Sequence, residues 1–359
     1  MLKLIFSLDY EIHGNGDGNP YDLMIEPTAR LMDLFDQYGA KLVIFADVAE
    51  IIKFKEYRDQ FGRDDYYYEK IIDQLRDAVL RGHDVQLHIH SSYFSSSFVS
   101  GKWMQNWEKY NLAGLSYEEI NNIVKVSKLF LEEIVKPVKP EYECYVFRAA
   151  NWAMLPTENI ALALSNNGIQ IDSSVYKYGK QTGWVNYDYS NAFDAIFPYK
   201  SSNNNINYFD PNGSLLEFPI YCELKPLINF LSYIRIFRAL RALKHKHNRV
   251  SQPATINNKF VRNKLMSLLI YIRMLTTKQP RKFDFNQLSA EQMINTLKNI
   301  KNNRMKYNYV VLIGHSKSYI LYNKKSLEKL FTFLNENNDA FEYSLYPPRA
   351  DLNNFHQNY

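Results

Sequence analysis

Asp9 and Glu11 stand two residues apart at the end of an apolar run, LKLIFSLDYE. Alternate residues of a strand face the same way, so both carboxylates point together. Two like charges that close resist joint ionisation unless a cation lies between them. His88 and His90 repeat the spacing at the end of DVQLHIH. Two imidazoles facing two carboxylates form a nitrogen and oxygen donor set suited to zinc or a similar divalent ion. His315 follows the apolar run YVVLIG and is placed to give a proton to a leaving amine as general acid. Arg148, in VFRAANW, is costly to bury unless it meets a carboxylate, and Asp9 is a natural partner that it would hold ionised as a general base. Each residue also has a plainer reading: a solvated carboxylate pair or helix cap, histidines satisfied in a core, a loop imidazole bonded to backbone. His83, at the start of its strand, reads as structural.

The elements that must position these residues alternate along the chain. Strands are predicted over 3–9, 41–48, 84–90, 145–149, 169–172, 215–221, 309–315 and 341–346. Helical stretches run through Leu31, Leu34 and Phe35, around Ile71–Val79, from the capping box Ser116-x-x-Glu119 to about Val135, and over 157–166. A second capping box, Ser289-x-x-Gln292, and a helix over about 325–336 complete the series. Strands alternating with helices imply a mostly parallel sheet, and seven or eight of them fit a barrel. In such architectures the C-terminal strand ends build the active site, and there stand Asp9, Glu11, His88, His90, Arg148, Asp172 and His315.

Composition sets the outer limits. The chain has 359 residues, 46% hydrophobic and 23% charged, so it can fold as one large globular domain. Its 28 Tyr and 22 Phe suit a sugar-binding cleft, although abundant Asn, Lys and Ile make codon bias the blander explanation. Two unspaced cysteines, Cys144 and Cys222, argue against a disulfide framework or structural zinc cluster. The N-terminal run ends too early for a signal peptide and reads as a buried strand, which places the protein in the cytoplasm. Charge is uneven. Residues 225–282 hold 14 Lys and Arg and no acid, leaving 29 basic and 38 acidic residues, a net −9, for the rest. Leu231, Ile234, Phe237 and Leu240, then Val261, Leu265, Leu268, Ile272 and Leu275, recur there at helical spacing among the cations. Basic amphipathic helices suit an anionic bilayer surface; the alternative is packing of the apolar stripes on the barrel or a second subunit. Nothing resembles a nucleic-acid-binding motif, and no nucleic acid is expected.

FSLDYE, GAKLVIFADV, GHDVQLHIH, FRAANW, GIQIDSSV, LLEFPIY and VLIGHSK, in this order, resemble the polysaccharide deacetylase family with NodB homology, carbohydrate esterase family 4. The resemblance covers roughly 1–90, 140–222 and 300–320. It implies a distorted, incomplete (β/α)7-8 barrel spanning 1–359, with insertions at about 91–115, 176–212 and a basic helical one at 223–285. It casts Asp9 as base, Glu11 as metal ligand, Arg148 as the group orienting the base, His315 as proton donor, and Asp172 with Ser173 near the pocket. The sequence departs from the family pattern in one telling place. Where the common motif sets its two metal histidines four residues apart, Ser92 stands at the second position, and His90 is the substitute. Ala149 and Ala150 also replace a frequent proline.

The implied activity is metal-dependent removal of an N-acetyl group from an amino sugar, with zinc, cobalt or nickel held by Glu11, His88 and His90. Trp152 and Tyr10 are candidates for stacking on the sugar or for barrel packing. The substrate is an acetylated amino sugar, free or carried on a nucleotide or lipid, in surface-polysaccharide precursor synthesis. The alternatives are a deformylase of a lipid-linked amino sugar and a catalytically silent sugar-binding module.

Overall fold

Strands buried on both faces need apolar side chains at nearly every position, and the first strand meets that demand. In the computed structural model, which describes residues 1–194, 196–230, 232–233, 277–303 and 309–356, β1 (Leu2–Tyr10) is buried at every position except Lys3. Helix α1 (Glu26–Gln37) buries Leu31, Met32, Leu34 and Phe35 and leads through Gly39, at φ 68°, into β2 (Leu42–Asp47). Next come α2 (Val48–Phe61), α3 (Tyr68–Leu80) and β3 (Asp84–Ile89). A hairpin, β4 (Ser97–Val99) with β5 (Lys102–Met104), precedes α4 (Tyr117–Val135), whose Ser116 side chain accepts from the Glu119 amide. The chain continues through β6 (Val146–Ala149), α5 (Thr157–Asn166) and β7 (Ile171–Asp172). A second hairpin joins β8 (Lys180–Gln181) to β9 (Tyr187–Asp188), followed by β10 (Tyr199–Ser201) and β11 (Leu215–Glu217). A ribbon of β12 (Cys222–Pro226) and β13 (Lys278–Lys282) leads to α6 (Ala290–Asn302), where Ser289 and Gln292 close a capping box. Strand β14 (Tyr309–His315), helix α7 (Leu321–Glu336) and β15 (Phe341–Tyr343) follow.

Nine strands form one sheet in the order β10-β11-β7-β6-β3-β2-β1-β14, with β15 also paired to β1. Every pairing is parallel except β10 with β11. The sheet curls into an incomplete barrel. Its open side is bridged where Ile220 pairs with Val311 and Asp284 with Ile313.

Two expectations need correction. The strand predicted over 215–221 is regular only to Glu217, because the chain then leaves β7 to bridge β14 at Ile220. Helix α2 is absent from the sequence expectation. Its buried residues include Glu50 and Lys53 beside Val48, Ile51 and Phe54, so no clean apolar stripe advertises it. The helical periodicity read over 231–275 falls almost wholly outside the described residues. Among those described, no helix is long and apolar enough to cross a membrane.

Candidate active site

Parallel pairing aligns the polar strand ends before any side chain is considered. Asp9 is opposite His315, Asp47 opposite His88, and His88 opposite Arg148. Neighbouring strands lie roughly 5 Å apart, so residues distant in sequence become close neighbours.

Asp9 is 2% exposed and sits between two cations or potential cations. Arg148 Nη1 donates to Asp9 Oδ1 at 2.8 Å, and His315 Nε2 lies 3.5 Å from Oδ2. Burial alone would raise the Asp9 pKa, but Arg148, His315 and His88 outweigh it and hold the carboxyl below its ordinary value. Arg148 is fully buried and held on several sides: Nε donates to the Ser173 carbonyl at 2.8 Å, Nη2 to Ser173 Oγ at 3.3 Å, and the guanidinium lies 4.1 Å over the Phe45 ring. Burial pushes His315 below its ordinary pKa, against the opposing pull of Asp9 and Glu11.

Glu11, His88 and His90 form a second group, all buried, with their ligand atoms within 4.8 Å of one another. Glu11 Oε2 lies 2.9 Å from His90 Nε2 and 3.4 Å from His88 Nε2. His88 Nδ1 is 2.8 Å from the Arg148 carbonyl, which accepts only from a protonated Nδ1, so Nε2 is the atom turned toward Glu11. Burial works against a charged His88, yet Glu11, Asp9 and Asp47 raise its pKa to about 9. The excess negative potential that draws a proton there also draws a dication. The donor set fits a divalent metal.

Several residues that local spacing did not single out complete the site. Lys317 Nζ donates to Glu11 Oε1 at 2.6 Å and, with His90, holds that carboxyl well below its usual range against burial. It lies two residues beyond His315, in a 3-10 turn over Ser316–Ser318 where strand alternation no longer holds. Asp47, at the end of β2, accepts from the His90 amide at 3.1 Å. Glu50 accepts from Tyr93 and from the Ile12 amide, and burial with Asp47 nearby raises its pKa well above normal. No sequence signal marks Glu50. Asn151 and Trp152 both adopt left-handed backbone, at φ 53° and 59°, a strain that clusters at functional sites. Tyr110 donates to Asn151 Oδ1, and Tyr189 to the Trp152 carbonyl.

These groups surround a cavity of about 210 Å³ lined by Asp9, Glu11, His88, His90, Tyr110, Asn151, Trp152, His315 and Lys317. A larger cavity of about 960 Å³ lies at the opposite strand ends, between Lys3, Asp84, Tyr145, Tyr309 and Tyr346. Convergent titratable groups make the smaller one the candidate site.

The structure therefore brings together Asp9, Glu11, His88, His90, Arg148 and His315. It does not bring Asp172 to the cavity. Asp172 is fully buried behind Arg148, accepts from the Ser174 hydroxyl at 2.7 Å, and stands opposite Glu217, whose pKa burial and Asp172 push far up. Tyr10 is likewise core, its hydroxyl donating to Gln74, whereas Trp152 reaches the cavity and meets the edge of His315 at 5.9 Å. Ser92 does not face the donor set; its hydroxyl donates to Gln105 at 2.6 Å.

No protein-family model matches the chain, and no curated protein does. Solved structures do. A Mycobacterium smegmatis protein assigned as a polysaccharide deacetylase is similar at 13% identity over 96% of this chain and 86% of that one, TM-score 0.48. The PuuE allantoinase is similar at 12% over 99% and 89%, TM-score 0.48, and a Bacillus cereus polysaccharide deacetylase at 12% over 98% and 94%, TM-score 0.40.

Proposed function

We propose that this protein is a metal-dependent hydrolase that removes the N-acetyl group of an amino sugar. One observation carries the reading: a buried Glu11–His88–His90 donor set stands beside an Asp9 that is held ionised by Arg148 and next to His315. A divalent metal, most simply zinc, bound by Glu11, His88 and His90 would supply Lewis-acid polarisation of the amide carbonyl and of the attacking water. Asp9 accepts the proton that this water loses. The 3.5 Å gap to His315 Nε2 lets the proton pass onward, and the imidazolium so formed protonates the departing amine. Arg148 keeps Asp9 oriented, with Ser173 fixing the guanidinium. Such an enzyme would work in the cytoplasm on a precursor carried by a nucleotide or lipid.

The test is direct. Chain stripped with a chelator and reloaded with zinc, cobalt or nickel is incubated with acetylated and formylated amino sugars, free and carrier-linked, and released acetate and formate are measured. Acetate release restored by metal is expected. Formate alone would reassign the enzyme as a deformylase, and no acid released by metal-loaded protein would defeat the hydrolase reading.

One observation favours a second reading, a silent sugar-binding module: Lys317 already neutralises Glu11. Metal titration separates the two. On the hydrolase reading wild type binds about one metal, and Lys317→Met binds it at least about tenfold more tightly because a like charge is gone. Wild type that stays metal-free in excess zinc, cobalt and nickel would support the module.

A further inference from the structure

An ammonium withdrawn from water ordinarily rests on a carboxylate or a carbonyl. Lys282, half-buried at the end of β13, rests on neither. Among the described residues its side chain makes no hydrogen bond and no ion pair. Its nitrogen lies instead in the corner between two aromatic rings, 3.0 Å from the centre of Trp152 and 4.5 Å from that of Tyr176. The two rings meet edge to face at 5.8 Å. Nearby acids are occupied elsewhere: Asp284 accepts from the Asn286 amide and from Gln287, and Asp9 accepts from Arg148.

Trp152 carries that contact to the cavity. It lines the cavity, and its ring stands at 86° to the His315 ring, 5.9 Å away. Neither ring has a firm polar tether. The buried indole N–H has no hydrogen-bond partner, and the Trp152 backbone is left-handed at φ 59°. Among the described residues the His315 ring has one ion-pair partner, Asp9 Oδ2, at 3.5 Å, longer than a firm hydrogen bond. The orientation of both rings therefore depends on what packs against them, and the cation on the indole face is Lys282.

We propose that Lys282 is a positioning residue for the proton donor: set face-on against Trp152, it holds the indole against His315 and so orients the imidazole toward the leaving amine. The inference rests on the hydrolase reading above and adds a residue that acts through another. The backbone makes Lys282 a rigid support. It stands opposite Cys222 in the β12–β13 ribbon. The next residue, Phe283, donates its amide to the Tyr221 carbonyl at 2.8 Å, and its carbonyl accepts from the Ile313 amide at 3.0 Å. The end of the ribbon is thereby stitched to β14, the strand that carries His315.

The contact is electrostatic as well as steric. A cation is drawn to the negative face of an indole, most strongly where water is excluded. Burial pushes the Lys282 pKa down to about 7; Asp284, Cys222 and Asp9 favour the ammonium, and Arg148 opposes it. The hold on Trp152 is therefore full in acid and weakens as pH rises through about 7. Of the other titratable groups around these rings, the Tyr176 hydroxyl is bonded to that of Tyr187 with its pKa raised by burial, and His315 lies across the indole with its own lowered.

The test compares the full, metal-loaded wild type with Lys282→Met, which keeps the apolar stem without the charge, and Lys282→Arg, which keeps the charge. Values of kcat and KM are measured on an acetylated amino sugar and on an activated acetate ester. Lys282→Met should lower kcat on the amide about 10–100-fold, the cost of a small misplacement, with KM within about twofold and the ester little affected. Lys282→Arg should recover most of that loss. Independently of turnover, the Trp152 emission, taken as the difference from Trp152→Phe, should titrate near pH 7 in the wild type and not in Lys282→Met. Lys282→Gln repeats both measurements where the methionine chain disturbs folding. Unchanged kcat without the lysine, a loss confined to KM, equal losses on amide and ester, a loss that Lys282→Arg shares in full, or a Trp152 titration that persists without Lys282 would overturn the proposal. A wild type that releases no acid, yet shows a Trp152 titration dependent on Lys282, would sink the hydrolase reading and confirm that Lys282 sets Trp152.

Discussion

Asp9 and Glu11 share one strand end, yet their surroundings assign them different work. Asp9 faces Arg148 and His315, a pair that keeps it ionised and gives it a proton acceptor, whereas Glu11 faces two imidazoles and Lys317. Asp9→Asn should therefore abolish turnover while metal titration still finds about one ion per chain; loss of the metal in that variant would show the roles to be shared. His315→Ala should slow amide hydrolysis by about 10²–10⁴-fold, the range for losing a positioned acid. An activated ester, whose leaving group needs no proton, should suffer less. Equal losses on both would remove His315 from the proton path.

At the scale of elements, β14 carries His315 and is packed too closely to accept change. A Cβ on Gly314 would collide with the Phe285 ring and with Asn286 Oδ1, which accepts from the His315 amide. Gly314→Ala should cost about 1–3 kcal/mol in denaturant unfolding, as overpacking does, and reduce turnover by moving His315. An unchanged unfolding midpoint would contradict this packing. The turn between α3 and β3 holds a pH-sensitive support. His83 Nδ1 accepts from the Leu42 amide at 3.2 Å, and burial depresses its pKa to about 4. Because the folded value lies below the unfolded 6.5, the unfolded state takes up the proton first as pH falls. Stability is full above pH 6.5 and should decline by roughly 1–3 kcal/mol on the way to pH 4. His83→Asn, which keeps an acceptor but does not titrate, should lose that part of the slope; an identical pH profile would count against it.

For the molecule as a whole, the separation of charge is the feature the barrel leaves unexplained. The segment 225–282 holds 14 cations and no acid against a net −9 elsewhere. Its ends meet in register, Pro226 opposite Lys278, so residues 234–276 can be exchanged for a Gly/Ser turn without opening the ribbon. We propose that the segment attaches the protein to anionic membrane. Intact chain should co-sediment with vesicles containing anionic lipid, release as salt rises, and lose binding on that exchange. Equal recovery of both proteins in the supernatant at low salt would leave packing on the barrel or a second subunit as the role of the apolar stripes.

Local periodicity was enough to read much of this. The strand alternation put Asp9 with Glu11 and His88 with His90, the capping boxes marked α4 and α6, and the succession of elements implied the barrel, because each signal is carried by neighbours along the chain. Strand order is not. Only the curled sheet sets β14 beside β1, and with it His315 and Lys317 beside Asp9 and Glu11 from the far end of the chain. The same packing withdrew Asp172 into a buried contact with Ser174 and placed α2, with Glu50, against the site without any apolar stripe to announce it. It also brought Trp184 against Trp107 across two separate loops. Such contacts depend on which surfaces bury each other, a long-range outcome of packing that spacing along the sequence does not encode.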